Sequence, residues 1–221
     1  MFTTERGKID VIAKGARRSK SHLGGRLQFT NEVLLGMHRG RNLDVVVSAD
    51  TQEAHWERIV QPERFTAANM IAELIDSFCE PDLPLPEVYA LLTGALRAIG
   101  ASENPIGLLP RFSLRLLHVL GLAPPTDSCI RCGKALSGGA WVDAEQGGFA
   151  GEECRAAWKE ALWLESADLE NIRALALRRG TGAAARAAPR AAEAVAALVA
   201  GHLGKRPKTV MHAAELAAPS A

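Results

Sequence analysis

Two groups of residues in this 221-residue chain have the types and spacing that could do chemistry. The first is a run of cations. Lys14, Arg17, Arg18 and Lys20 place four fixed positive charges within seven residues, with the hydroxyls of Ser19 and Ser21 among them and Gly15 allowing the backbone close to a ligand. Lys and Arg attract phosphates, serine hydroxyls add hydrogen bonds, and such contacts hold a nucleic-acid backbone without reading its sequence. Arg26, Arg39 and Arg41 extend the set to seven. A solvated loop would carry the same residues. The second group is Cys129-Ile130-Arg131-Cys132-Gly133, a knuckle whose two thiolates, two residues apart, can face one ion. Structural zinc takes four ligands, commonly from two knuckles. Here the second ends in Cys154 alone, with Gly151 where its partner would stand. Three cysteines therefore make a candidate site with no fourth thiolate, and no histidine lies between 129 and 154. Asp127, Asp143, Glu145, Glu152 or Glu153 could close it. Zinc is the candidate cofactor, expected to be absent or loosely held; a knuckle folded without metal is the competing reading.

Enzyme signatures are missing. There is no HExxH, no phosphate loop of the Walker type and no GxSxG elbow. Gly180-Thr181-Gly182 through Ala185 matches a dinucleotide loop in spelling, but Arg178-Arg179 and a helical pattern precede it where a buried strand is required. The six histidines are scattered. No catalytic residue is expected, and the chain is read as a non-enzyme.

The elements that must carry these residues follow from pattern. Hydrophobic residues make up 48% and charged residues 23%, ordinary for a globular chain and unlike a disordered one. No apolar run reaches the roughly 18–20 residues of a membrane span, and the start has no signal-peptide pattern, so a cytoplasmic location without membrane contact is expected. The net charge of +1 conceals +6 over residues 1–43, −11 over 44–170 and +7 over 171–208, a segregation that suits a polyanion partner or mutual neutralisation within the fold. Ile9, Val11 and Ala13 alternate as in a strand; Leu27, Phe29, Val33 and Leu35 form a second extended run; His38 to Asn42 reads as a hairpin turn; Leu43, Val45, Val47 and Ala49 alternate again. Short strands with glycine turns predict a small antiparallel barrel. Helical stripes follow: Phe65 to Phe78; Val88 to Ile99; Ile106 to Leu120, with Pro105 early and Gly121 at the end. A further helix is expected from an N-cap at Ser166, and an alanine-rich one after Pro189 turns Val195, Val199 and Leu203 inward.

Several segments, in order across nearly the whole chain, carry a resemblance. They are Phe2 to Lys8, Val11 to Arg18, Gly25 to Phe29, Pro110 to Leu117 with Leu120 to Pro124, the Cys129/Cys132 knuckle, and Leu203 to Thr209. Together they resemble the RecO family of bacterial recombination mediators. The resemblance implies an α+β chain: an N-terminal OB-like β-barrel over 1–52, expected to lack its first strand; a helical domain over 53–125 and 161–221; and an inserted zinc-ribbon-like lobe over 126–160. It implies no catalytic chemistry. It implies binding to single- and double-stranded DNA, annealing of complementary strands, and help in loading RecA on gaps coated by single-stranded-DNA-binding protein. RecR and the acidic tail of that coating protein are the implied partners, and the location is cytoplasmic, associated with the nucleoid.

Residue by residue, Lys14, Arg17, Arg18, Lys20, Arg26, Arg39 and Arg41 are expected on the DNA backbone. Arg111 and Arg115, one helical turn apart, with Leu116 or Leu120, are expected to receive the acidic tail. Cys129, Cys132 and Cys154 are the expected metal ligands. The alternative is a protein-interaction module whose incomplete barrel does not bind DNA. A barrel of five strands needs more than the three or four runs visible before residue 51, so the natural start is expected roughly 20 residues upstream, or the edge at Lys8–Lys14 is expected to be covered by a partner.

Overall fold

The computed structural model describes residues 1–18, 20–155, 162–177, 187–205 and 207. The chain divides into two units, Met1–Pro105 and Ile106–Ala221.

In the first unit, β1 (Phe2–Thr3) and β2 (Gly7–Lys8) form an antiparallel hairpin. Gly7 sits at φ +65° with the Leu83 carbonyl where a Cβ would stand, so no other residue fits there. The expected strand over Lys8–Lys14 is split. Ile9 is buried; its N–H donates to the Met1 carbonyl at 2.9 Å, and its carbonyl accepts from the Met1 amine at 2.8 Å. The chain then pairs anew, β3 (Val11–Ile12) running parallel to β5 (Asp44–Glu53), which is antiparallel to β4 (Glu32–His38). The three strands lie in the order β3-β5-β4. Among the described residues no closed barrel forms, because β1, β2 and β3 are two residues long and their ladders end at once.

Two sequence expectations are corrected within this sheet. Leu27 and Phe29 lie in consecutive turns ahead of β4, with Thr30 at φ +75°, rather than in the strand. Val47 does not share the inward face of Ala49. The register shifts between Gly36, paired with Ser48, and Met37, paired with Val46, and this bulge leaves Val47 unpaired and half exposed.

Helices α1 (Trp56–Ile59), α2 (Pro62–Phe78) and α3 (Pro86–Ala101) complete the unit. A proline opens each long helix, where its missing N–H costs nothing. Ile71, Val88 and Ile99 are fully buried. A cavity of about 640 Å³ remains, lined among others by Leu35, Met37, Ala72, Ile75 and Leu96.

The second unit begins with a 3-10 turn, Ile106–Leu108, and α4 (Leu109–Val119). Pro110, rather than Pro105, takes the early helical position, and Gly121 follows at φ +74°. A small antiparallel sheet of β6 (Ala140–Asp143), β7 (Gly148–Ala150) and β8 (Trp163–Leu164) has the order β7-β6-β8. Helix α5 (Ser166–Ala176) is capped by Glu165, not Ser166: the Glu165 carboxylate accepts from the backbone of Asp168, and the Asp168 carboxylate accepts from that of Glu165. Helix α6 (Pro189–Leu203) starts at Pro189 and buries Val195 and Val199, with Leu203 half-buried. Phe149, Leu164, Leu169, Ile172 and Leu198 lie in the core of this unit. Gly180 to Ala185, Arg206, Lys208 and Thr209 lie outside the described residues. No described helix is long and apolar enough to cross a membrane.

Candidate nucleic-acid interface and thiol cluster

Lys14, Arg17, Arg18 and Lys20 stand exposed on a chain of turns. The N–H of Ala16 donates to Ala13, that of Arg18 to Gly15 and that of Ser21 to Arg18. Gly15, at φ +75°, permits the first of these turns. None of the four side chains has a hydrogen bond or ion pair to a described residue. Neighbouring cations are treated differently. Arg6 bridges Asp44 at 2.6 Å and Asp82 at 2.5 Å, and Lys8 pairs with Asp76 at 3.3 Å. Arg26 donates to the Ala49 carbonyl at 2.7 Å and to Asp50 at 3.2 Å, so it is half committed to β5. Arg39 and Arg41 project from the exposed β4–β5 turn. The Arg6 guanidinium, ahead of weaker help from the Gly40 N–H and the Arg39 charge, holds the Asp44 carboxyl below its usual range.

A polar knot joins β4, β5 and α3 that no sequence spacing announced. Arg97 donates to Glu53 at 2.7 Å and to Glu32 at 3.3 Å, and the Tyr89 hydroxyl donates to Glu32 at 3.1 Å. Burial, then the Glu32 bond, pushes the Tyr89 hydroxyl up to about 12. His55 is 2% exposed; its Nδ1 lies 3.7 Å from Glu53, and its Nε2 has no partner. Burial pushes its pKa down, against a smaller upward pull from Glu53. Glu32, Glu53 and His55 bring ligand atoms within 4.8 Å of one another. Arg97 already engages both carboxylates, so both are committed to an ion pair within the unit.

The sulfurs of Cys129, Cys132 and Cys154 also come within 4.8 Å of one another. The knuckle is set by the Cys129 N–H donating to Lys134 and the Gly133 N–H donating to Cys129; Cys154 ends a 3-10 turn opened by Gly151. Burial raises the Cys129 thiol, but N–H groups of Gly151, Cys132 and Arg131, together with the Cys132 thiol, outweigh it and bring the pKa to about 6. Hydrogen bonds with the two neighbouring thiols, then burial, push Cys154 up to about 11. N–H donors aimed at sulfur suit a metal thiolate, so the donor set fits a soft ion. No fourth histidine or cysteine joins it among the described residues. Cys79 is buried elsewhere, as core.

On α4, the Arg111 guanidinium donates to the Leu175 carbonyl at 3.4 Å and the Leu177 carbonyl at 3.1 Å, at the C-terminal end of α5. Arg115 is half-buried and partnered, Leu116 is 1% exposed, and Leu120 is half-buried. Of the two leucines, only Leu120 reaches the surface.

These features define a mixed α+β chain that presents a basic loop in one unit and a thiol cluster in the other. The family model for Recombination protein O, N terminal, matches residues 1–54, and that for Recombination protein O, C terminal, matches residues 60–210. The chain is 35% identical over 160 residues to the DNA repair protein RecO of Nocardioides sp., covering 70% of this chain and 66% of that protein. It is 38% identical over 140 residues to the DNA repair protein RecO of Cutibacterium acnes, covering 60% and 57%. For the protein of that name from Bifidobacterium longum it is 36% identical over 155 residues, covering 66% and 65%. The chain belongs to the recombination protein O family, as its sequence resemblance implied. It spans less than two thirds of the length of each of these relatives.

Proposed function

We propose that this chain is a non-catalytic DNA-binding recombination mediator in DNA repair. It holds single- and double-stranded DNA by the backbone, anneals complementary strands, and helps load RecA on gaps coated by single-stranded-DNA-binding protein. The observation that carries the reading is the loop of four exposed cations, Lys14, Arg17, Arg18 and Lys20, left without partners among the described residues while Arg6 and Lys8 beside them are neutralised. Arg26, Arg39 and Arg41 widen the patch. Names of relatives as DNA repair proteins support the same reading. RecR and the acidic tail of the coating protein are the proposed partners, the tail meeting α4 beside Arg115 and Leu120. The working location is the nucleoid.

The lobe around β6 and β7 is proposed as zinc-ribbon-like. Zinc, when bound, would be held by Cys129, Cys132 and Cys154, with water or a carboxylate closing the tetrahedron, and would supply a cross-link. Dialysis against a chelator is expected to strip the metal; one zinc per chain surviving it would contradict an open site.

The test of the main reading is binding to an unstructured oligonucleotide at rising salt. With about five phosphates neutralised on a single strand, log affinity falls against log salt with a slope of about −3.5. Absence of salt-dependent binding would leave the interaction-module reading, which the unclosed sheets favour.

A further inference from the structure

A chain that is only 5% aromatic gathers three of its rings at one exposed place in the first unit. Phe29 comes from the turns before β4, Trp56 from α1 and Phe65 from α2. The Phe29 and Phe65 centroids are 5.8 Å apart at 74°, and those of Trp56 and Phe65 are 6.0 Å apart at 86°. The cluster is held in place, because the Trp56 N–H donates to the Asn31 side chain at 3.1 Å, tying α1 to the Phe29 turn. Yet Phe29 and Phe65 each remain 38% exposed, and Val60, one turn after Trp56, 51%. Edge-to-face packing stabilises the cluster beyond its buried area, while the exposed part of the two rings forgoes the gain of burying apolar surface.

The surroundings say what would cover them. Phe29 ends the same connection that carries Lys14, Arg17, Arg18 and Lys20, and this connection folds on itself, the Ala16 carbonyl packing on Gly24. Arg26 stands three residues before Phe29. A ligand that meets unpaired cations along this loop and flat apolar rings at its end must carry repeated negative charge and exposed π faces. Unpaired nucleotides do both, because every base has a face that stacks on an aromatic ring. A duplex offers the same phosphates but keeps its base faces inside the helix. An apolar protein surface would leave the cations unused.

We infer that Phe29, Trp56 and Phe65 form a stacking platform for unpaired bases, giving the chain a preference for single strands over duplex that the basic loop cannot supply. This rests on the DNA-binding reading above. The test compares Phe65→Leu, which keeps the apolar bulk and removes the π face, with Phe65→Trp, which keeps both, on an oligothymidylate and on a duplex of equal length. Phe65→Leu is expected to weaken binding to the single strand about tenfold, with an unchanged salt slope and unchanged duplex affinity, and Phe65→Trp is expected to bind like the wild type. An unchanged ratio of single-strand to duplex affinity in Phe65→Leu, while the wild type binds both, overturns the platform and leaves the DNA-binding reading standing. A wild type that binds neither overturns both.

Discussion

Among the described residues, the two units spend their cations differently. In Ile106–Ala221, Arg131 pairs with the fully buried Asp143 at 2.8 Å, and Arg173 donates to the Thr126 carbonyl at 2.7 Å and forms an ion pair with Asp127 at 3.1 Å. Arg111 and Arg190 donate to backbone carbonyls, Lys134 pairs with Glu153, and Arg155 lies over the Trp141 ring. In Met1–Pro105 two arginines, Arg6 and Arg97, are spent on Asp44, Asp82, Glu32 and Glu53, but the cations on the 14–20 turns are not spent on any described residue. Of the cations over 171–208, the described ones are Arg173 and Arg190, which have partners, and Lys205. What marks an electrostatic binding surface is charge left unpaired in a cluster, not charge per segment. The first unit keeps a cavity of about 640 Å³, and in the second Phe149, Leu164 and Leu198 are fully buried.

The largest effect that would break this contrast is expected in the second unit. Arg131→Ala leaves the Asp143 carboxylate buried with only the Gln146 N–H donating to it, and is expected to cost about 3 kcal/mol in urea unfolding, with the DNA salt slope unchanged. A changed slope would mean that this arginine also serves a ligand. Next, Gly7→Ala must adopt a left-handed backbone and displace the Leu83 carbonyl; a loss of about 2 kcal/mol or more is expected from the first unit. Wild-type stability there would show that the β1–β2 hairpin contributes nothing to the fold.

A smaller effect concerns pH. Burial keeps the folded pKa of His55 below the ordinary value of about 6.5. As pH falls below about 6.5, the unfolded chain takes up a proton before the folded one, so the stability is fully present above that pH and declines below it, by at most about 1.4 kcal/mol per pH unit. Urea midpoints of the wild type at about pH 7.5 and about pH 5.5, one unit either side of that value, should differ, and those of His55→Gln should differ less. Equal pH sensitivity in both proteins would assign the slope to another group.

Much of this was legible beforehand, where the cause is local. The stripes of α2, α3 and α4, the β4–β5 turn at His38–Asn42 and the spacing of Cys129 and Cys132 depend on neighbours a few residues away. What escaped is what only distant pairing decides. The alternation of Val45, Val47 and Ala49 could not reveal the bulge that turns Val47 outward, since the register is set by β4. The run from Lys8 to Lys14 reads as one strand until Met1 takes Ile9 as its partner. Among the candidate DNA-binding residues, sequence gave Arg26 the same weight as Arg17; the structure separates them, because Asp50 and the Ala49 carbonyl lie beside Arg26. Phe29 is the one aromatic besides Phe2 in the first fifty residues of the sequence, and Trp56 and Phe65 join it only through the docking of α1 and α2.

The central claim is that the cations of the 14–20 turns are held unpaired for a polyanion, and removing two of them tests it most directly. In the Arg17→Ala/Arg18→Ala variant, stability should stay within about 0.5 kcal/mol of the wild type, since neither side chain has a described partner. The slope of log affinity against log salt on a single-stranded oligonucleotide should become shallower by about 1.4, the value for two phosphate contacts at about 0.7 each. A slope equal to that of the wild type would take this loop out of the interface and contradict the account.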